Sequence, residues 1–583
     1  MRYKIIILTA AAAFLIGGRQ ATLMAQNINL GAISEIAKND PLIITGAVGT
    51  QNTYYYSSVG SGYASPWNNV FYANLNVSVY GINMPFSLYY TNDNTSFNHP
   101  HFTFSFNPRY KNWTGSIGRS TMPFSNYVMN MSYNGIGVEY NDNKWRFGAF
   151  YGTLRSPIND DPTDPMARSP QYKRIGWGFK VGYGSGTNYI DLYLLRAYDR
   201  LGSIDEHWRS YVSPQENITI GLKGGIAPIK PLSLNFNVAS SIFSTDTQAQ
   251  KVETEVADDW SGIFKARYST LARFAGDVSA NLVLPGITAS AYYRMIQPDY
   301  TSLGTYYMAN NYHSLGLNAT THLFKKISLS ANFSGQEDNL TNKQLYTTRG
   351  LVYSANASTR FGNLNLNLAY NGYTQKQYDG TVKVNDTTRV NRFMQSLTFA
   401  PSYSIDGSSL SHSMSVSASY TENKDKNKFS THVGDIKSLA LGASYNLGVK
   451  DWEMDFTGNI THQTSKGLNN RYTSDVASIT ANRSFLKDKS LSVSATLSMI
   501  YNEIQYQSKS LSIAGDMQVG YTLNQKHVFS LSAGISKYGD VNPTRTRSTL
   551  DATNVNVSFN YSYAFTLLEI KKRAKQAAEN NKE

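Results

Sequence analysis

The chain has 583 residues, no cysteine, 16% charged residues and a net charge of +13. Without cysteine it has no disulfide, thiol nucleophile, zinc knuckle or lipid-anchored cysteine, and after the signal-like start no apolar run reaches the roughly 18 residues of a spanning helix. The positive charge comes with no recognition motif and no basic helix before the C-terminal tail, so we assign no nucleic-acid partner and look to anionic lipid headgroups or anionic solutes.

Residues 1–4 are basic and residues 5–17 apolar or small, and a candidate cleavage point follows at Ala25-Gln26. This predicts a secretory signal peptide over 1–25, with a buried N-terminal helix as the alternative. Residues 26–41 read as a short polar periplasmic lead-in, and strands begin at Leu42. Candidate strands follow at 42–56, 69–82, 84–93, 101–107, 113–119, 131–141, 144–155, 172–185, 187–200, 215–226, 231–243, 272–284 and 286–298. They continue at 309–323, 326–337, 345–361, 363–378, 389–404, 410–422, 434–447, 451–464, 470–486, 488–504, 509–523, 526–538 and 548–565. That makes about 26 strands, within a range of about 24–26.

Period-2 alternation carries these assignments, because successive side chains of a strand point to opposite faces. The last strand is the clearest case. Val555, Val557, Phe559, Tyr561, Tyr563 and Phe565 share one face, and Asn554, Asn556, Ser558, Asn560, Ser562 and Ala564 the other. We read it as the outer-membrane targeting strand. A soluble sandwich can use the same alternation in one strand, but its recurrence along a long chain behind a secretion signal is the pattern of a transmembrane barrel. Tyrosine (42) exceeds phenylalanine (26), which suits rings seated at a headgroup boundary with a wet hydroxyl.

The connections alternate as well. Tight joints at 81–84, 141–144, 284–286, 325–326, 361–363, 486–489 and 523–525 are interleaved with long polar ones at 156–171, 201–214, 244–271, 379–388, 423–431 and 539–547. A propeller has repeats of similar length but no reason for one-sided loops. The expected fold is therefore all-β: a single large antiparallel transmembrane β-barrel over 42–565, with short periplasmic turns, long extracellular loops, an even strand count and both termini periplasmic. Residues 566–583, with Lys571, Lys572, Arg573 and Lys575, read as a basic periplasmic tail.

Three phrases in the first third are 85–87 (PFS), 106–127 (FNPRYKNWTGSIGRSTMPFSNY) and 134–154 (NGIGVEYNDNKWRFGAFYGTL). They resemble a mostly uncharacterised family of large outer-membrane β-barrel proteins of Bacteroidota. The resemblance covers residues 42 to 155, with Asn112 intruding before Trp113. It implies a compartment and an organism group and carries over no activity.

Candidate chemistry is sparse. His99 and His101 flank Pro100, and Asp205, Glu206 and His207 adjoin, but both groups read as solvated loop residues. Asp160, Asp161 and Asp164 supply oxygens suited to calcium, yet the loop lacks the glycine and closing glutamate of a calcium loop, so we assign no metal and no cofactor. No G-x-S-x-G, phosphate loop or H-E-x-x-H occurs, and we expect no enzyme. Residues 26–41 are too short for the plug domain of an active receptor.

Two readings stand. One is a passive channel for polar solutes, with Lys180, Lys223 and, on an inward-folded loop, Arg267 lining the lumen. The other is a non-conducting structural or machinery subunit for secretion, assembly or nutrient capture, with protein partners at its loops or tail. A barrel this wide needs filling, and the candidates are loops such as 244–271, the lead-in, the tail or a partner. Opposed acidic and basic rows favour the channel, and a lumen blocked by ordered chain favours the subunit.

Overall fold

The computed structural model describes residues 41–60, 66–92, 101–160, 168–252, 264–324, 326–467, 470–486, 488–540 and 552–570. The strands are β1 (Leu42–Ser57), β2 (Trp67–Val79), β3 (Ile82–Thr91), β4 (Phe102–Phe106), β5 (Arg109–Tyr110), β6 (Trp113–Ser120), β7 (Tyr133–Asn141), β8 (Trp145–Arg155), β9 (Lys173–Ser185) and β10 (Asn188–Arg200). Next come β11 (Glu216–Ile229), β12 (Leu232–Ser244), β13 (Thr270–Leu284), β14 (Ile287–Ile296), β15 (Tyr312–Leu323), β16 (Ile327–Asp338), β17 (Tyr346–Phe361), β18 (Leu364–Asp379) and β19 (Asn391–Phe399). The last are β20 (Ser402–Asp406), β21 (Leu410–Asp425), β22 (Ile436–Val449), β23 (Met454–Lys466), β24 (Arg471–Phe485), β25 (Leu491–Ile504), β26 (Ser508–Leu523), β27 (His527–Asp540) and β28 (Ala552–Ile570).

Each strand pairs antiparallel with its neighbours, and β1 pairs with β28, so the sheet closes into a barrel of 26 staves. Two staves are broken. β4 and β5 flank Pro108, β19 and β20 flank Pro401, and in both cases the two pieces lie between the same neighbours. Proline has no N–H to give the ladder, while its carbonyl still accepts: from Gly115 N at Pro108 (2.7 Å) and from Val416 N at Pro401 (3.0 Å). The continuous strand expected over 389–404 is thus corrected to two.

The barrel also runs further than expected. β28 continues to Ile570, which pairs with Leu42, and a bulge opposite Ile44 and Thr45 takes up the extra residue Leu567. Residues 566–570 therefore belong to the wall and not to a tail. Residues 1–40, where a signal peptide and most of a lead-in are expected, and residues 571–583 lie outside the described residues.

One end of the barrel has only short turns, such as 80–81, 186–187, 362–363 and 524–526. Tyr80 and Gly81 (φ 47° and 84°) and Asn524 and Gln525 (φ 52° and 56°) take the left-handed backbone that tight hairpins need. The other end carries long connections at 121–132, 156–172, 201–215, 245–269, 297–311, 380–390 and 426–435, though 467–470 and 505–507 are short there too.

Outward positions are apolar and exposed, among them Ile136, Val138, Phe179, Val181, Ile190, Leu192, Leu315, Leu317, Leu497 and Leu531. Aromatic rings gather at the turn end of this band. Trp113–Tyr140 (4.9 Å), Trp145–Tyr183 (4.6 Å), His527–Tyr563 (4.3 Å), Phe529–Tyr561 (4.8 Å) and Tyr563–Phe565 (5.4 Å) are in contact. At the loop end Tyr54 meets Trp67 at 4.8 Å. An apolar band between aromatic girdles is what a lipid bilayer selects on a barrel's outer face.

Candidate functional site in the barrel lumen

Two connections from the loop end fold into the lumen. The first, 121–132, joins β6 to β7, and the second, 297–311, joins β14 to β15. They pair with each other through a parallel bridge between Met129 and Gly304. Ser302 Oγ donates to Val128 O (2.6 Å), Tyr300 OH to Tyr127 O (2.8 Å), and Asn130 N to Gly304 O (3.1 Å). The wall holds both segments. Ser125 Oγ donates to Asn237 (2.6 Å), Tyr127 OH to Asp277 (2.5 Å), and Leu303 N to Asn217 Oδ1 (3.1 Å).

These segments carry the molecule's hydrophobic core. Met122, Phe124, Val128, Met129, Tyr300 and Leu303 pack on Phe150, Leu154, Leu195 and Ile296 of the inner wall. Val128, Leu154 and Leu195 are fully buried, at 0% exposure. Full burial of such a side chain contributes roughly 1.5–3 kcal/mol. Phe124 stands edge-on to Phe150 at 5.7 Å, and Tyr133 stacks on Phe150 at 4.6 Å. Inward glycines make the room. A Cβ on Gly178 would lie 2.7 Å from Phe150 and 3.2 Å from Phe124, and one on Gly148 3.0 Å from Met122 Sδ.

The phenols of Tyr127 and Tyr300 have raised pKa values, both mainly through burial; for Tyr127 the bond to the Asp277 carboxylate adds to it. A group whose folded pKa lies above its free value of about 10 contributes fully below that value and loses its contribution as pH rises through the folded pKa. The segments should therefore stay seated at neutral pH and loosen only well into the alkaline range. Tyrosinate absorbance followed alongside proteolytic cleavage within 121–132 tests this: cleavage starting well below pH about 10 would contradict it.

Charges cluster on the same half of the wall. In register across β8 to β14, the inward row reads Arg146, Gly182, Asp191, Lys223, Asn237, Asp277 and Arg294. Arg146 Nε donates to Asp191 at 2.9 Å. Lys180, also inward and 7% exposed, meets Glu139 at 2.5 Å. Lys223 lies on the inward row with no ion pair among the described residues. Arg267 is not on a strand. It sits at the base of the β12–β13 connection, bridged to Lys251, and donates to Ala249 O at 2.8 Å. The row alternates in sign along one wall, and the described residues form no opposed acidic and basic walls.

The remaining sequence candidates lie apart from this site. Asp160 pairs with Arg168 (2.8 Å), which holds its carboxyl below the usual carboxylate range, while Asp161 and Asp164 lie outside the described residues. Asp205 binds Asn159, His101 contacts Thr91 O, and His99 is outside the described residues. No group of three potential metal ligands occurs among the described residues. Val555, Val557, Phe559, Tyr561, Tyr563 and Phe565 occupy the outer face of β28 and pair with β27 and β1.

The opposite half of the lumen is different. From β20 to β28 the inward rows are mostly hydroxyls and amides: Ser413, Ser415 and Ser417, then Asn446, Thr457, Asn459, Ser478, Thr480, Thr496 and Asn560. They bond across strands, as in Asn446 to Thr457 (2.7 Å), Thr480 to Thr496 (3.0 Å) and Asn560 to Ser530 (3.0 Å). Ser413, Ser415 and Ser417 are exposed, as are the inward apolar side chains Val352 (45%) and Met394 (41%). Buried apolar residues run from Met122 to Leu303, and after Leu303 Val384 is the only buried apolar side chain among the described residues. Among the described residues, ordered chain thus fills one half of the lumen and leaves the other solvated.

Sequence alone does not single out either inward segment as a lumen filler, and of the longest connection, 245–269, residues 253–263 lie outside the described residues. A signal was present. Residues 122–129 (MPFSNYVM) are too apolar for a solvated loop, and 174–184 (RIGWGFKVGYG) places glycine at most inward positions.

The architecture and outer face define an outer-membrane-type β-barrel. No protein-family profile and no curated protein matches the chain. Among solved structures, the P pilus usher PapC translocation pore is 12% identical, covering 90% of this chain and 100% of its own, with a TM-score of 0.35. The copper transporter OprC is 8% identical, covering 89% and 80%, with a TM-score of 0.39. OccAB3 of Acinetobacter baumannii is 11% identical, covering 60% and 93%, with a TM-score of 0.30. At such identities and scores the likeness bears on neither the family nor the activity of this chain.

Proposed function

We propose that this protein lies in a bacterial outer membrane, with its turns and both termini periplasmic, and passes small uncharged polar solutes through the solvated half of its lumen. The observation that carries the reading is the row of exposed and half-exposed hydroxyls and amides on β20 to β28, beside no buried apolar core among the described residues. Such a surface replaces water's hydrogen bonds without holding a solute by charge. The inward segments narrow the path, and the outer girdles hold membrane lipids. Proteoliposomes should swell in iso-osmotic neutral sugars faster than protein-free ones and exclude large polymers.

A second reading is favoured by the packed core between residues 122 and 303: a closed barrel that serves as a platform for protein partners at its loops or tail. Absence of swelling in demonstrably inserted protein would overturn the channel and leave the platform.

A further inference from the structure

A cavity of about 330 Å³ lies against the inner wall of β14 to β18, just past the second inward segment and before the solvated half begins. Tyr312, Asp338 and Thr348 bound it toward the loop end, and Tyr292, Val352 and Tyr373 toward the turn end. We propose that this basin is a binding site for a small neutral sugar. The inference rests on the reading of the lumen as a passage for uncharged polar solutes, and it names the class of solute and the place where it is held.

The charges come first. Arg294 and Asp338 are the two charged residues that line the basin, and they are opposite in sign. Arg294 faces Asp277 across the β13–β14 ladder, and Asp338 Oδ1 accepts from Thr348 N at 2.6 Å. A lining whose formal charges cancel does not concentrate ions of either sign.

The rest of the lining is a set of unused donors and acceptors. Gln336, Gly350 and Gln375 follow one another along one inward row, so two amides flank a floor without a side chain. Those amides, and the hydroxyls of Ser334 and Tyr373, make no hydrogen bond among the described residues. Each can both donate and accept, which is what a sugar hydroxyl requires of its surroundings.

Aromatic rings complete the match. Tyr292 lies across Gly316, its register partner on β15, where a Cβ would collide with the ring. Tyr373 leans toward Gly350, where a Cβ would lie 3.9 Å from its ring. Both rings therefore lie along the wall and present apolar surface to the basin, beside the exposed inward Val352. The C–H faces of a pyranose pack on such surface while its hydroxyls reach the amides. Gly316 and Gly350 stand two strands apart, roughly 10 Å, a span that a disaccharide covers.

A saturation-transfer NMR titration of the full chain in phosphatidylcholine nanodiscs, with maltose as the probe, tests this without requiring conduction. Saturable binding is expected, with transfer strongest to the C–H protons of the sugar rings and with the same affinity at low and high salt. Tyr373→Ala should weaken binding about ten-fold, and so should the Gln336→Ala/Gln375→Ala double variant. Tyr373→Phe keeps the ring and should stay within about three-fold. Lys489→Gln, at a turn outside the lumen, should stay within about two-fold. Heat-modifiable migration on gels checks that each variant is folded. Glycylglycine, a zwitterion, is the second probe, and tighter binding of it than of maltose would overturn the assignment to a neutral sugar. Liposome swelling without saturable maltose binding would overturn the basin and leave the passage standing. Maltose binding without swelling would uphold the basin and overturn the passage. Unaltered affinity in the folded Tyr373→Ala and double variants, or an equal loss in Lys489→Gln, would also overturn the proposal.

Discussion

Replacing residues 299–309 by a short glycine-serine link is expected to raise single-channel conductance about two-fold or more, because it empties the half of the lumen that ordered chain occupies. The deletion removes Tyr300, Ser302, Leu303 and Gly304, and with them the bonds to Tyr127 O and Val128 O and the bridge to Met129. The first segment then keeps its contacts with the wall, among them the bonds of Ser125 and Tyr127 and the packing of Phe124 on Phe150. Removing 427–434, which joins β21 to β22 beside the solvated half, should leave the conductance unchanged. A barrel that is silent when intact and conducts after the deletion would make the inward segments a closure and not a constriction. Equal conductance before and after would show that they do not stand in the path.

Asp199→Ala should destabilise the barrel by about 3–5 kcal/mol, the cost of leaving buried cations without their anion. The Asp199 side chain is 1% exposed and that of Arg174 9%. Arg174 Nε donates to Asp199 at 2.8 Å and its Nη2 at 3.1 Å, Arg155 adds a contact at 3.2 Å, and the Gln215 N–H donates at 3.2 Å. Removal of the carboxylate leaves two guanidiniums facing each other where β8, β9 and β10 meet the loop end. Asp199→Asn keeps some of the hydrogen bonds and should fall between. Arg349→Ala breaks a pair whose side chains are 54% and 31% exposed, and solvent screening should hold its effect below about 1 kcal/mol. Urea unfolding in lipid bilayers measures all three. An Asp199→Ala variant as stable as the unaltered barrel would mean that the network contributes nothing net.

Much of this barrel is legible from residue order, because its strongest signal is local. Side chains one residue apart face opposite ways, so 553–565 or 491–497 declare an outer and an inner face without reference to the rest of the chain. Interleaved short and long joints then set the even number of staves and the end that carries the loops. The limits of this signal are local as well. It cannot show that Pro108 and Pro401 split a stave, nor that Leu42 would draw β28 on to Ile570, since both depend on what the neighbouring strand offers.

The filling of the lumen belongs to the other category. Residues 121–132 and 297–311 are far apart in sequence, and although 122–129 are too apolar for a solvated loop, neither segment alone shows what it packs against. What makes them a core is that Val128 and Ser302 meet, that Asp277 and Asn237 face Tyr127 and Ser125, and that inward glycines at 148 and 178 leave space for Met122 and Phe124. Lys180 and Lys223 share an inward-facing strand pattern, yet one is buried against Glu139 and the other has no ion pair among the described residues. The sequence by itself determined the class, the stave count and the two faces of the wall, through a period-2 pattern read within each strand. Only the tertiary structure decided which half of the lumen is closed and where the charges gather, because that follows from complementarity between segments that meet only once the barrel has closed.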